Sequence, residues 1–166
     1  VGVWTTTPRT WVAGEVPTAT HFNENVRDFG RAFADAWTAY TPTLTASTTS
    51  PTNWTQTGYY VQAGKLVTAK FLLTAGASMT AGSGTYRVAL PVNANTTIGD
   101  MEIGPVKMLD SSTGNQTLAF AVTSAAGYLT IEYQSSLTAL ALVTNAAPWA
   151  WASGDTIRGQ ITYEAA

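Results

Sequence analysis

The feature that most constrains this chain is a period of two in its apolar residues. Thr156, Arg158, Gln160, Thr162 and Glu164 interleave with Ile157, Gly159, Ile161 and Tyr163. Successive side chains of a strand point to opposite faces, so this spacing gives one wet face and one buried face. Leu66, Thr68, Lys70 and Leu72 alternate in the same way with Val67, Ala69, Phe71 and Leu73. Here one face is wholly apolar and the other mixed, the pattern of a central strand. Shorter stretches of strand character recur at 39–45, 58–62, 85–90, 106–109, 117–123, 129–133 and 137–143, punctuated by Gly, Pro and Asn. About nine short strands of this kind predict a mainly β chain folded as an antiparallel, jelly-roll-like β-sandwich.

The turns carry their own chemistry. Ala63-Gly64-Lys65 is expected to close a tight hairpin, and residues 111–115 to join two further strands. Gly82-Ser83-Gly84 superficially matches a phosphate-binding loop, but no helical pattern follows it to supply an anion-holding N-terminus, and it reads as a loop.

Before Trp37 the texture differs. Seven of the 18 charged residues fall in the first 37 positions and eleven in the remaining 129. Phe22, Val26, Phe29, Phe33 and Trp37 are spaced by three or four, a helical stripe. Thr18 or Thr20 can cap its start, and Glu24 with Arg27, Asp28 with Arg31 and Arg31 with Asp35 meet on a helix surface. One helix of about five turns is predicted over 17–37. Its stripe also fits about two heptads, too few for a coiled coil in isolation. It serves either as an assembly seam between three copies or as a helix docked on its own domain. The expected organisation is a segment over 1–16, the helix over 17–37 and a β-sandwich head over 38–166.

Charge and composition exclude several functions. Charged residues make up 11% of the chain, less than half the ~25% of ordinary domains. The missing polarity comes from 29 Thr, a residue suited to pleated sheets. Eight Lys and Arg scattered along the sequence make no basic stripe, so nucleic acid is not an expected partner. No apolar run reaches the ~20 residues of a membrane span, and no basic head with an apolar stretch marks an export signal. Without Cys there is neither a disulfide framework nor a thiolate site. Three N-x-T triplets at Asn53, Asn95 and Asn115 are then chance matches in a Thr-rich chain.

Catalytic candidates are few. His21 is the sole histidine, no nucleophile elbow in the sequence around it points to a catalytic relay, and one His without Cys makes zinc improbable. Glycan cleavage needs only two carboxylates, which Asp100 and Glu102 with Asp110, Glu132 or Asp155 could supply. Such acids are few among the 129 residues after Trp37, however, and ordinary solvated positions explain them. Calcium at Asp100, Glu102 or Asp110 lacks the dense acidic ladder of an EF-hand loop, and no cofactor is expected. Aromatics are more informative. Trp54, Tyr59 and Tyr60 lie close in sequence, and Trp149 and Trp151 flank Ala150. Such rings fill a core or a subunit interface, or stack on sugars when exposed, so Trp54, Tyr59, Trp149 and Trp151 are the candidate glycan contacts.

The opening WTTTPRTWVAGEVPTATHFNENVRD, Trp4 to Asp28, resembles the N-termini of structural proteins of tailed bacteriophages and prophages, especially those of actinobacterial hosts. The resemblance continues in YTPTLTAS at 40–47, GYYVQAGKLVTAKFLLTAG at 58–76, GSGTYRVALPV at 82–92 and WASGDTIRGQITYEA at 151–165. It implies a non-enzymatic virion component of the minor tail, tail-fibre or head-decoration type, assembled in the bacterial cytoplasm. In that light Trp4, Pro8, Trp11 and Pro17 form a docking strap to a major capsid or tail protein. The Phe22, Val26, Phe29, Phe33 and Trp37 stripe is then the seam of a homotrimer. A chain this short leaves no room for a long shaft, which favours a capsid decoration or head fibre. The alternatives are a tail adhesin binding host cell-surface glycan and, more remotely, a polysaccharide depolymerase.

Overall fold

A computed structural model describes residues 12–22, 37–97, 102–125 and 127–166. Trp4, Pro8, Trp11, Val26, Phe29, Phe33 and Asp100, all singled out from the sequence, lie outside the described residues.

At the N-terminal side, helix α1 (Ala19–Phe22) begins where expected. The Thr18 hydroxyl accepts from the His21 backbone N–H, while His21 Nδ1 accepts from Thr18 N, both at 3.3 Å. That reciprocal arrangement is a capping box with His in the place of Glu. The rest of the helix predicted to Trp37 falls on residues 23–36, outside the described ones.

The remainder is mainly β and antiparallel, as predicted. Ten strands are described: β1 (Thr38–Tyr40), β2 (Leu44–Ala46), β3 (Thr52–Ala63), β4 (Leu66–Thr80), β5 (Tyr86–Ala89), β6 (Ile103–Leu109), β7 (Gln116–Ala125), β8 (Tyr128–Ser136), β9 (Ala139–Leu142) and β10 (Thr156–Glu164). They form one hydrogen-bonded sheet in the order β1-β3-β4-β10-β6-β7-β8-β5-β2, with β9 also paired to β8. The edge of β8 facing β5 is shared, β5 taking Tyr128–Thr130 and β9 taking Glu132–Ser136.

The two ends of this order are β1 and β2, which are consecutive in sequence. Nine strands laid flat would hold their outermost members about 38 Å apart at ~4.8 Å per step. The four residue steps from Tyr40 to Leu44 span at most about 14 Å. The sheet therefore curls until its ends approach, and the sandwich arises from one rolled ladder. The single strand expected at 39–45 is split into β1 and β2 at Pro42, which has no N–H for a ladder and is buried at the crossing.

Alternation sets the inside. Val67, Ala69, Phe71, Leu73 and Ala75 of β4 are buried, as are Ile157, Ile161 and Tyr163 of β10, and their alternates face outward. The register runs Ile157↔Leu73, Gly159↔Phe71, Ile161↔Ala69 and Tyr163↔Val67. A Cβ on Gly159 would meet Val106 Cγ2 at 2.8 Å and Phe71 Cζ at 2.9 Å, so glycine there makes room for the Phe71 ring. The predicted hairpin closes with Gly64 at φ +60° as the first of two loop residues between β3 and β4, a backbone that glycine adopts without strain.

Candidate functional site

Trp54, Tyr86, Trp149 and Trp151 pack together inside the curl. The ring centroids are 5.6 Å apart for Trp54 and Trp151, 6.2 Å for Trp54 and Tyr86, 5.9 Å for Tyr86 and Trp151, and 5.5 Å for Trp149 and Trp151. Five strands separate β3, which carries Trp54, from β5, which carries Tyr86, so this contact spans the interior and joins the two sides of the rolled sheet. Trp151 Nε1 donates to Thr144 O at 2.8 Å, and the Tyr86 hydroxyl donates to Ala81 O at 2.9 Å. Burial pushes the Tyr86 phenol well above its ordinary value.

This arrangement corrects part of the glycan-contact set. Trp54 is 8% exposed and Trp151 6%, so neither ring offers a face to a sugar; both bind the two sides of the core. Trp149 is half-buried against the same cluster. Of the four candidates only Tyr59, at 41% exposed, stands on the open surface.

Of the candidate carboxylates, Glu102, Asp110 and Asp155 sit in loops at strand ends and Glu132 on β8. The Glu102 carboxylate accepts from the Thr123 hydroxyl at 2.7 Å. Asp110 accepts from the backbone N–H and hydroxyl of Ser112 and from the Thr113 hydroxyl, closing the turn from β6 to β7. Those hydroxyl donors, Ser112 first, hold its carboxyl below the ordinary aspartate value. Asp155 is fully buried and accepts from Ser111 N, the Ser111 hydroxyl and Ala152 N, tying the start of β10 to that turn. Glu132 sits opposite Phe120 on the outer side of β8. Among the described residues no three His, Cys, Asp or Glu group together as a metal site would require. His21 Nδ1 lies 4.0 Å from Glu15 Oε1 at the surface.

The outer face of the sheet brings together residues that no motif linked. Reading straight across the strands, Thr57 of β3 is opposite Leu72 of β4, Leu72 opposite Arg158 of β10, Arg158 opposite Lys107 of β6, and Lys107 opposite Leu118 of β7. All five are exposed. Beside this row, Tyr59 is opposite Lys70 and Lys70 opposite Gln160, while Phe120, Glu132 and Leu142 continue the face across β7, β8 and β9. Trp37, at the entry to β1, lies over this surface with Lys70 Nζ 4.1 Å from its ring centroid, and the same Nζ is 5.8 Å from the Tyr59 ring. Of the predicted seam residues, Trp37 is thus placed against its own sheet, and Phe22 is 53% exposed. Pro17 of the predicted strap is also exposed.

Five basic residues lie among the described positions. Lys65 pairs with Glu164 at 3.5 Å, and Arg87 stacks over Tyr128 at 4.7 Å. The other three, Lys70, Lys107 and Arg158, share the outer face of adjacent strands, and among the described residues none has a carboxylate within 4.0 Å. A groove of about 350 Å³, open to solvent, runs between them along Phe71, Pro105, Leu118 and Gln160. A second, of about 230 Å³, adjoins it at Lys70 and extends past Tyr59 to Thr57.

No family model, curated protein or solved structure matches this chain.

Proposed function

We propose that this chain is a non-enzymatic structural protein of a bacteriophage virion, a short trimeric spike whose β-head projects from the particle, in the position of a capsid decoration or head fibre. The observation that carries this reading is the outer face of the head. Phe120, Leu140 and Leu142, towards β9 on that face, are each at least 41% exposed although the interior is filled without them. Large apolar side chains on one face of a completed domain are most useful in an assembly, where another protein covers them. The phage-like opening segment supports the same reading, with its strap at Trp4, Pro8, Trp11 and Pro17 and its seam at Phe22, Val26, Phe29 and Phe33.

Immunogold labelling of intact particles with antibody to the β-head tests the assignment. Gold over the head is expected. Gold confined to the tail would move the protein to the adhesin class, and unlabelled particles would remove it from the virion. Assembly is tested separately by light scattering on Phe29→Asp and Phe33→Asp, each of which buries an unpaired carboxylate in the proposed seam and should dissociate the trimer. An unchanged mass in both would assign the stripe to docking within one chain.

A further inference from the structure

We infer that the outer face of β4, β10 and β6 is a binding site for an acidic polysaccharide, a sugar polymer carrying carboxylates. This inference is independent of the particle assignment, since it needs only the surface geometry of the folded chain.

The cations set the chemistry. Arg158 and Lys107 are directly opposite on β10 and β6, about 5 Å apart at the backbone. Lys70 on β4 is opposite Gln160, two residues along from Arg158, which places it diagonally from Arg158 at about 7 to 8 Å. Like charges facing one another across a ladder are destabilising, and among the described residues no carboxylate offsets them. An anionic ligand removes that repulsion. The guanidinium of Arg158 suits a carboxylate through two parallel N–H donors, and the two ammonium groups add charge on either side.

The neighbours of the cations select a sugar over a simple anion. Tyr59 and Trp37, each 41% exposed, stand at the Lys70 end, where a ring can stack on the C–H face of a pyranose. Gln160, exposed between Lys70 and the Arg158 row, offers an amide donor and acceptor to hydroxyls. Pro105 and Leu118 supply an apolar lining. The two grooves meet at Lys70 and are open along their length, running from Thr57 and Tyr59 to Leu118 across five strands. That shape suits an extended polymer lying across the strands. Three cations in a chain of net charge −2 are too few for the dense phosphate neutralisation of nucleic acid.

The test measures binding of the full chain to polygalacturonate, with dextran as the neutral sugar polymer and poly(dT) and inorganic polyphosphate as polyanions without the pyranose. Polygalacturonate is expected to bind and dextran not. Arg158→Gln and Lys107→Gln should each weaken binding roughly tenfold, and Tyr59→Ala should weaken it severalfold. Lys65→Gln, on a residue paired elsewhere with Glu164, should leave it unchanged. Thermal melts check that each outward-facing variant folds, and Lys70→Gln substitutes for any that does not. Failure of polygalacturonate to bind overturns the inference, as does binding that survives loss of Arg158 and Lys107. Equal binding of poly(dT) or polyphosphate, insensitive to Tyr59→Ala, overturns it too, by reducing the site to charge alone.

Discussion

Arg158 and Lys107, 51 positions apart in the chain, face each other as direct partners on β10 and β6, both exposed on the outer side of the sheet. Two positive charges in this relation oppose folding, and among the described residues no acidic side chain pairs with either. A stability-neutral surface would alternate the signs. The arrangement is that of a surface kept for a partner at a small cost in stability.

Reversing one of the two charges should therefore stabilise the free protein. Arg158→Glu places a carboxylate opposite Lys107 and is expected to raise the unfolding free energy by about 0.2 to 1 kcal/mol at low ionic strength, read as a higher urea midpoint. The gain should shrink in concentrated salt, which screens exposed charges. A variant less stable than the parent at low salt would show that Arg158 is held by attractive contacts instead.

The aromatic cluster makes the opposite prediction. Trp151 contacts Trp54, Tyr86 and Trp149 and donates to Thr144 O. Its truncation to Ala should cost about 3 to 5 kcal/mol, as expected for a large buried ring. Tyr59→Ala, on the exposed outer face, should change stability by roughly 0.5 kcal/mol or less. Equilibrium urea unfolding of the two variants distinguishes a core tryptophan from a surface one. Similar losses in both would contradict the inward placement of Trp151.

Strands β4 and β10 were legible because burial on one side alone imposes a period of two, and Leu66 to Leu73 and Thr156 to Glu164 carry it without interruption. The first half of β3 was not. Between Thr52 and Thr57 the only large apolar residue is Trp54, and the segment is a strand because the long β4 pairs with it. The split between β1 and β2 is a consequence of the curl, a property of the whole ladder that no local window contains. Tryptophan was ambiguous for another reason: the same residue suits a core and a sugar site, and only the juxtaposition of β3 with β5 sends Trp54 and Trp151 inward. The basic face was hidden more completely. Lys70, Lys107 and Arg158 read as scattered charges until β10 inserts between β4 and β6 and brings them together.

Alkaline pH should unfold the protein through its buried tyrosines. The Tyr163 hydroxyl donates to Val92 O at 2.8 Å and accepts from Val92 N at 3.3 Å. Burial is the main cause that pushes its phenol up to about 12. Tyr40 and Tyr86 are raised as well, each chiefly by burial. A pKa raised in the folded state means that the folded chain holds the proton more tightly than the unfolded one. The stabilisation is then complete below the ordinary tyrosine value of 10.0 and is lost as pH rises towards about 12. Melting temperature should fall over this window. In Tyr163→Phe the curve should start lower, by about 1 kcal/mol for the lost hydrogen bonds, and fall less steeply. A slope equal to that of the parent would exclude Tyr163 as a contributor.

The acid limb should depend on Asp110, with the opposite sign. Ser112 and Thr113 donate to its carboxylate through both hydroxyls and the Ser112 backbone N–H, and these bonds favour the charged form. With the folded pKa below the ordinary 3.8, the unfolded chain binds the proton more readily. The contribution is present above that value and lost as pH falls through the folded one. Asp110→Asn preserves the shape of the side chain and removes the titration. It should be less stable than the parent at neutral pH, and the difference should narrow as both approach roughly pH 2. Urea midpoints at the two extremes are sufficient to check this. A gap that stayed constant across the range would mean that the turn from β6 to β7 depends on the geometry of Asp110 and not on its charge.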